Sequence, residues 1–237
     1  MTIVLNDLYD YDLKIYQDPN KFKFSLDSLL LAEFVDIKKN TEKILDFCSG
    51  NAPVPLILAQ KYHKNIIGIE IQPKVYDLAI KSIKYNKLDT KINMLNINIL
   101  EAKNYFPGNN FDIITCNPPF FKVDKTSFIN NSQELAIARH ELTITLEEII
   151  REASYLLKDK GCFYLIHRPE RLEEILIIAS KFNLHVKEIK FIASKPREYA
   201  IMVLLKFIKN AHYGVKVSTE IVNRNLTTYQ NIFKNRN

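Results

Sequence analysis

From residue 43 onward, short apolar runs alternate with helical patterns, and that alternation constrains the fold more than any other feature of the chain. Residues 43–47, 65–70, 91–95, 111–116, 162–167, 185–192 and 200–208 read as seven strands. Residues 53–62, 74–86, 146–157 and 170–181 read as helices. In the second helix Val75, Leu78, Ala79 and Ile83 share one face and lysines occupy the other. Strands and helices in this order predict an α/β fold around a mostly parallel sheet. Its 237 residues, 47% of them hydrophobic, suffice for one large core. Connections are short except for residues 121–143, a candidate lid.

The fourth run leads directly into Asn117-Pro118-Pro119-Phe120. Each proline fixes its own φ, and Pro119 pushes Pro118 toward an extended backbone. Neither proline has an N–H to donate. The turn therefore presents carbonyls, the Asn117 carboxamide and an aromatic ring in a stiff frame. That set suits a flat group carrying an NH2. The Asn117 oxygen and the Pro118 carbonyl each accept one amino hydrogen, while Phe120 stacks on the ring. Asn-Pro-Pro-aromatic after a strand resembles motif IV of methyltransferases that use S-adenosylmethionine on exocyclic or amide nitrogens.

Three other strand ends carry matching polar groups. Asp46, Cys48 and Gly50 lie in the turn between the first strand and its helix. A glycine there lets backbone approach a ligand, with helix N–H groups aimed at it. Cys48 and Ala52 stand where such turns commonly carry glycine, and Cys48 reads as a small apolar wall. The second strand ends in Glu70, 24 residues after Asp46. An acid at that point of a βαβ unit binds the two ribose hydroxyls of a nucleoside cofactor. Asn98 follows the third strand and offers an acceptor to an adenine amino group. All these residues fall at the carboxyl ends of strands, the crevice where open α/β sheets bind ligands.

Charge is distributed unevenly. Residues 181–237 hold eleven Lys and Arg against three Glu, a net of +8, while residues 1–180 hold 22 against 24, a net of −2. A positive last quarter favours a polyanionic partner over a merely solvated face. Cys48, Cys116 and Cys162 are odd in number and form no CxxC pair. They predict buried reduced thiols in a cytoplasmic protein, with neither a disulfide framework nor a metal site. No apolar stretch has the length of a membrane span and no secretory pattern opens the chain, so no membrane partner is expected.

Longer segments carry a fuller resemblance. Asp12-Leu13, Gln17 and residues 24–31 (Phe-Ser-Leu-Asp-Ser-Leu-Leu-Leu), the Asp46–Asn51 turn, Asn117–Phe120, residues 136–141 (Ala-Ile-Ala-Arg-His-Glu) and residues 167–172 (His-Arg-Pro-Glu-Arg-Leu) resemble bacterial tRNA adenine N6-methyltransferases that modify adenosine 37 beside the anticodon of a valine tRNA. The resemblance implies a Rossmann-like methyltransferase fold with a seven-stranded, mostly parallel sheet whose last strand is antiparallel. Residues 1–40 then form an N-terminal segment packing on the cofactor and substrate cleft, and residues 41–237 a single methyltransferase domain. It implies S-adenosylmethionine as cofactor, held by Asp46, Cys48, Gly50, Glu70, Asn98 and Asn117. Asn117, Pro118 and Phe120 are the catalytic set. Phe120, Phe121, Arg139, His140, Lys195 and Arg197 face a tRNA substrate. An acid is usual at the position of Asn98 in this class, so asparagine keeps the acceptor and loses the charge. The oligomeric state stays open, with a monomer favoured. Three other readings stay open: an rRNA guanine N2-methyltransferase, a protein glutamine N5-methyltransferase and a nucleotide-binding module without catalysis. The first often carries a second, degenerate domain for which this chain has no room. The second more often ends its turn in tyrosine behind an N-terminal helical domain. The third has no need of Asn117–Phe120.

Overall fold

The structure is a computed structural model that describes residues 3–8, 11–18, 26–119, 144–196 and 198–222. The candidate lid, residues 121–143, lies outside the described residues. Strands β1 (Val4–Leu8) and β2 (Leu13–Gln17) form an antiparallel hairpin, followed by helix α1 (Leu26–Phe34). Then come β3 (Ile44–Phe47), α2 (Pro53–Tyr62), β4 (Ile66–Ile69), α3 (Pro73–Tyr85) and β5 (Ile92–Leu95). A short 3-10 helix (Ile99–Asn104) precedes β6 (Phe111–Cys116). The second half runs α4 (Leu146–Leu156), β7 (Leu157–His167), a 3-10 turn (Pro169–Arg171), α5 (Leu172–Lys181), β8 (Leu184–Ala193), β9 (Ala200–Lys209) and β10 (Lys216–Ile221).

Eight strands make one sheet in the order β10-β8-β9-β7-β6-β3-β4-β5. Every pairing is parallel except those of β9, which runs antiparallel to β7 and β8. All seven expected strands form, and the seventh is the antiparallel one. The eighth, β10, corrects the expected count. Its residues are exposed or half-buried throughout, so it contains no apolar run to betray it. The first 40 residues, expected only as a packing segment, also form the hairpin and α1. The expected helix over 170–181 is divided, because Pro169 starts a 3-10 turn before α5 proper.

Side chains alternate across the sheet as the two-residue period requires. Ile113, Tyr164 and Leu204 join a core under α1, α2 and α3. Ile114, Phe163 and Leu205 join the opposite core, under α4 and α5. Helix starts follow local chemistry. Pro53 and Pro73 occupy first-turn positions where a missing N–H costs nothing. Thr145 and Glu148 close a capping box at the head of α4. Gly68 is dictated by packing: a Cβ there would sit 2.4 Å from Met94 Sδ and 2.7 Å from Ser49 Oγ. β4 can thus lie directly against the β3–α2 turn.

The hairpin is anchored through its backbone. Asn86, at the end of α3, accepts from the Lys14 N–H at 2.9 Å and donates to the Lys14 carbonyl at 2.6 Å. Ser82 Oγ accepts from the Tyr16 N–H, and Asn51 Nδ2 donates to the Tyr16 carbonyl. Asn51 belongs to the β3–α2 turn, which ties the hairpin to the edge of the strand-end crevice.

Candidate active site

The crevice opens at the carboxyl ends of β3, β4, β5 and β6. Cys48, Gly50, Glu70, Gln72, Asn98, Asn117 and Pro119 line it with a ring of aliphatic side chains. Most candidates from four separate strand ends therefore share one cavity. Asp46 does not line it. It lies beneath the turn at 2% exposure, with its carboxylate accepting from the Thr115 hydroxyl on β6. Burial pushes Asp46 up to about 7, against the pull of hydrogen bonds from Thr115 and Ser49.

The β3–α2 turn achieves its path by three left-handed residues, Cys48 (φ 54), Gly50 (φ 57) and Ala52 (φ 72). Only the middle one is glycine, so Cys48 and Ala52 adopt a conformation that costs non-glycine residues roughly 1–2 kcal/mol each. Gly50 lines the cavity, and a Cβ placed on it would meet no atom within 4 Å. The room there is open to a ligand, and a side chain would occupy it.

Glu70 links two walls. One carboxylate oxygen accepts from the Gly50 N–H at 2.9 Å and the other from the Gln72 N–H at 2.8 Å. Burial raises its pKa, and those backbone hydrogen bonds oppose the rise. Glu70 also lines the cavity, where a carboxylate is an acceptor suited to a vicinal diol. Asn98 does two things at once. It lines the cavity, and its side chain accepts from the Leu100 N–H at 2.9 Å, with Glu101 Oε2 accepting from the Asn98 N–H in return. The loss of charge noted in the sequence is thus compatible with a firm helix cap. These features fit a nucleoside cofactor: a diol acceptor, a glycine cradle and apolar walls formed by Ile69, Ile71 and Ile99.

Asn117 stands on the opposite wall at the end of β6. Its Nδ2 donates to Ser28 Oγ of α1 at 3.0 Å. Pro118 is buried and Pro119 half-buried. Phe120, Phe121, Arg139, His140 and Arg197 lie outside the described residues. Cys48, Cys116 and Cys162 are free thiols. Only Cys116 is fully buried, a partial correction to the expectation for all three. Burial and the adjoining Cys48 thiol hold the Cys116 pKa well above the usual thiol range. His167, at the end of the neighbouring β7, accepts from the Arg168 N–H at 2.8 Å. Burial and the Arg171 charge lower it to about 4, so it is neutral at physiological pH. Among the described residues no group of three or more His, Cys, Asp or Glu is placed to hold a metal ion. No helix of the described residues is long and apolar enough to cross a membrane.

The basic quarter divides in two. Lys187 Nζ donates to the His212 and Tyr213 carbonyls, and Lys190 pairs with Glu220 on β10 at 3.3 Å. Lys190 fastens the edge strand and Lys187 the connection that leads into it. Lys195, in the β8–β9 connection, is 74% exposed and pairs with Glu198 at 3.3 Å. Because β8 runs parallel to β6, that connection opens on the Asn117 side of the sheet.

A family model described as the methyltransferase small domain matches residues 20–201, most of the chain and every strand end just described. The chain belongs to this methyltransferase family. Among curated relatives, the tRNA1(Val) (adenine(37)-N6)-methyltransferase of Flavobacterium psychrophilum is 26% identical over 197 residues, covering 83% of this chain and 82% of its own length. The protein of the same name from Bacteroides thetaiotaomicron is also 26% identical, over 85% of this chain and 83% of its own. Among solved structures, the Agrobacterium tumefaciens protein Atu636, titled a predicted O-methyltransferase, superposes with a TM-score of 0.68 at 19% identity, covering 85% of this chain and 90% of that one. TYW2 of Pyrococcus horikoshii, solved in complex with MeSAdo, superposes at 0.62 and 16% identity, over 89% and 72%. Both structures share the Rossmann-like methyltransferase fold seen here.

Proposed function

We propose that this methyltransferase transfers a methyl group from S-adenosylmethionine to the exocyclic N6 of an adenosine in tRNA, adenosine 37 beside the anticodon of a valine tRNA. The observation that carries the reading is the placement of Asn117, followed by two prolines, across one cavity from Glu70 and Gly50. The names of the curated relatives support the choice of tRNA and nucleotide.

S-adenosylmethionine supplies a sulfonium methyl when bound. Glu70 would accept from the ribose hydroxyls, and the open space beside Gly50 would admit the cofactor. Asn98 and the aliphatic side chains flank the adenine. Asp46, beneath the turn, supports its shape. Across the cavity, Asn117 Oδ1 and the Pro118 carbonyl accept the two hydrogens of the target amine. Adenine N6 is a poor nucleophile because its lone pair is delocalised into the ring. Two acceptors favour a pyramidal nitrogen and stabilise the positive charge that develops on it. Phe120 stacks on the base, and the remaining catalysis is positioning. No strong base is needed, since the methylated ammonium is acidic enough to release its proton to a carbonyl or to water. We assign the N-terminal segment to one side of the cleft, and Phe121, Arg139, His140, Lys195 and Arg197 to contacts with the anticodon arm. An anticodon-loop base is splayed into a pocket at less cost than a paired one. The protein works in the cytoplasm, where tRNA is made.

The deciding experiment incubates the protein with labelled S-adenosylmethionine and total tRNA, total rRNA or a peptide release factor. Label should enter tRNA as N6-methyladenosine and vanish when adenosine 37 of the valine tRNA is replaced by guanosine. Label in rRNA as N2-methylguanosine, or in a release-factor glutamine, would replace this reading with one of its neighbours.

A further inference from the structure

The Asn117 carboxamide has two unlike ends, and the reaction proposed above needs one particular end in the cavity. Oδ1 toward the target amine accepts a hydrogen; Nδ2 in its place would set donor against donor. Rotation about the terminal torsion of asparagine is broad and nearly two-fold, so the side chain alone does not choose. The turn cannot choose either, because Pro118 and Pro119 have no N–H to hold Oδ1 or to exclude it.

Ser28 holds one end: a hydroxyl can donate or accept, and here it accepts. It lies 89 residues earlier in the chain, on α1, and its Oγ accepts from Asn117 Nδ2 at 3.0 Å. Among the described residues no other hydrogen bond holds this carboxamide. Ser28 is 6% exposed in a helix that otherwise buries Leu26, Leu29, Leu30, Leu31 and Ala32. Those apolar neighbours pack α1 against α2 and β7, so the hydroxyl is carried on a rigid body. A hydroxyl in such a helix is costly without a partner, and its partner lines the cavity. We propose that Ser28 is a positioning residue for methyl transfer: it anchors the Asn117 carboxamide through Nδ2, which leaves Oδ1 for the incoming amine. The inference rests on the role given to Asn117 above.

The test compares Ser28→Ala, Ser28→Thr, Asn117→Ala and the Ser28→Ala/Asn117→Ala double variant with the full wild-type chain. Steady-state and single-turnover methylation of tRNA are measured beside cofactor calorimetry and thermal unfolding. Ser28→Ala should lower kcat about tenfold, the order expected for one lost neutral hydrogen bond, with tRNA KM and cofactor affinity unchanged. Ser28→Thr keeps the hydroxyl and should restore most of the rate. In the Asn117→Ala background, Ser28→Ala should cost nothing further, since two groups acting as one unit are not additive. Wild-type kcat in Ser28→Ala, an additive loss in the double variant, or a loss confined to KM or cofactor affinity would each overturn the proposal. If Ser28→Ala fails to fold, Ser28→Cys decides, since it keeps the size with a weaker acceptor: a folded variant with undiminished kcat overturns the role. Full activity of Asn117→Ala would instead sink the reading of the site itself, which separates the two failures.

Discussion

Glu70 and Asp46 are two buried carboxylates with opposite duties. Glu70 is the more exposed to function, since it touches both the turn and the cavity. Glu70→Ala should weaken cofactor binding at least tenfold, because a carboxylate on two hydroxyls makes charge-assisted bonds worth about 1.5–3 kcal/mol each. Calorimetry with S-adenosylmethionine checks this, and unchanged affinity would move the ribose contact elsewhere. Asp46 makes a pH prediction for the free protein. Its folded pKa of about 7 lies above the ordinary carboxylate range, so the fold favours the protonated form. That contribution is complete below pH ~4 and is lost as pH rises to ~7. Asp46→Asn, which stays neutral and can still accept from Thr115, should escape the loss. Urea unfolding should show the variant gaining on wild type by about 1–4 kcal/mol between pH 4.5 and pH 8. A gap that does not move with pH would mean that Asp46 is ionised in the fold.

At the scale of elements, the N-terminal hairpin buries Leu8, Leu13 and Ile15 in the core shared with α1–α3 and is fixed in place by side chains from α3. Asn86→Ala removes hydrogen bonds to both backbone groups of Lys14 and to the Ser82 carbonyl. It should destabilise the protein by about 1–3 kcal/mol and release the Lys14 and Tyr16 amides to faster hydrogen exchange. Full protection at those amides would show that the hairpin is held otherwise. This anchoring marks where reading the chain stops working. The buried strands and the polar residues at their ends were legible, because apolar runs and a strand-to-helix turn are local signals. Ser28 was not, since its meaning depends on a contact 89 residues away. β10 was not, since an edge strand buries too little to need an apolar run. The left-handed backbone at Cys48 and Ala52 was hinted at only by glycine's absence from those positions.

Across the whole molecule, the positive charge of residues 181–237 includes fasteners such as Lys187 and Lys190 and the exposed Lys195, whose partner Glu198 lies in the same connection. Lys187 and Lys190 hold β10 and the connection that leads into it, so reversing them would test stability rather than binding. Lys195 remains, with Arg197 beside it in the sequence, on the Asn117 side and two to three strand spacings from β6, roughly 10–15 Å. Replacing both by glutamate should weaken tRNA binding and flatten its salt dependence by about one unit per lost phosphate contact, with cofactor affinity unaltered. Parallel salt plots of equal height would shift the RNA face to residues 121–143 and the N-terminal segment. The order of the sheet has a separate consequence. β9 is inserted between β7 and β8, both of which precede it in the chain. While the polypeptide emerges from the ribosome, β7 and β8 cannot pair with each other across that slot, and each keeps a bare hydrogen-bonding edge. The right half of the sheet closes only when residues 200–209 arrive, so the interval of greatest vulnerability to misassociation during synthesis is set by a strand that carries no part of the chemistry.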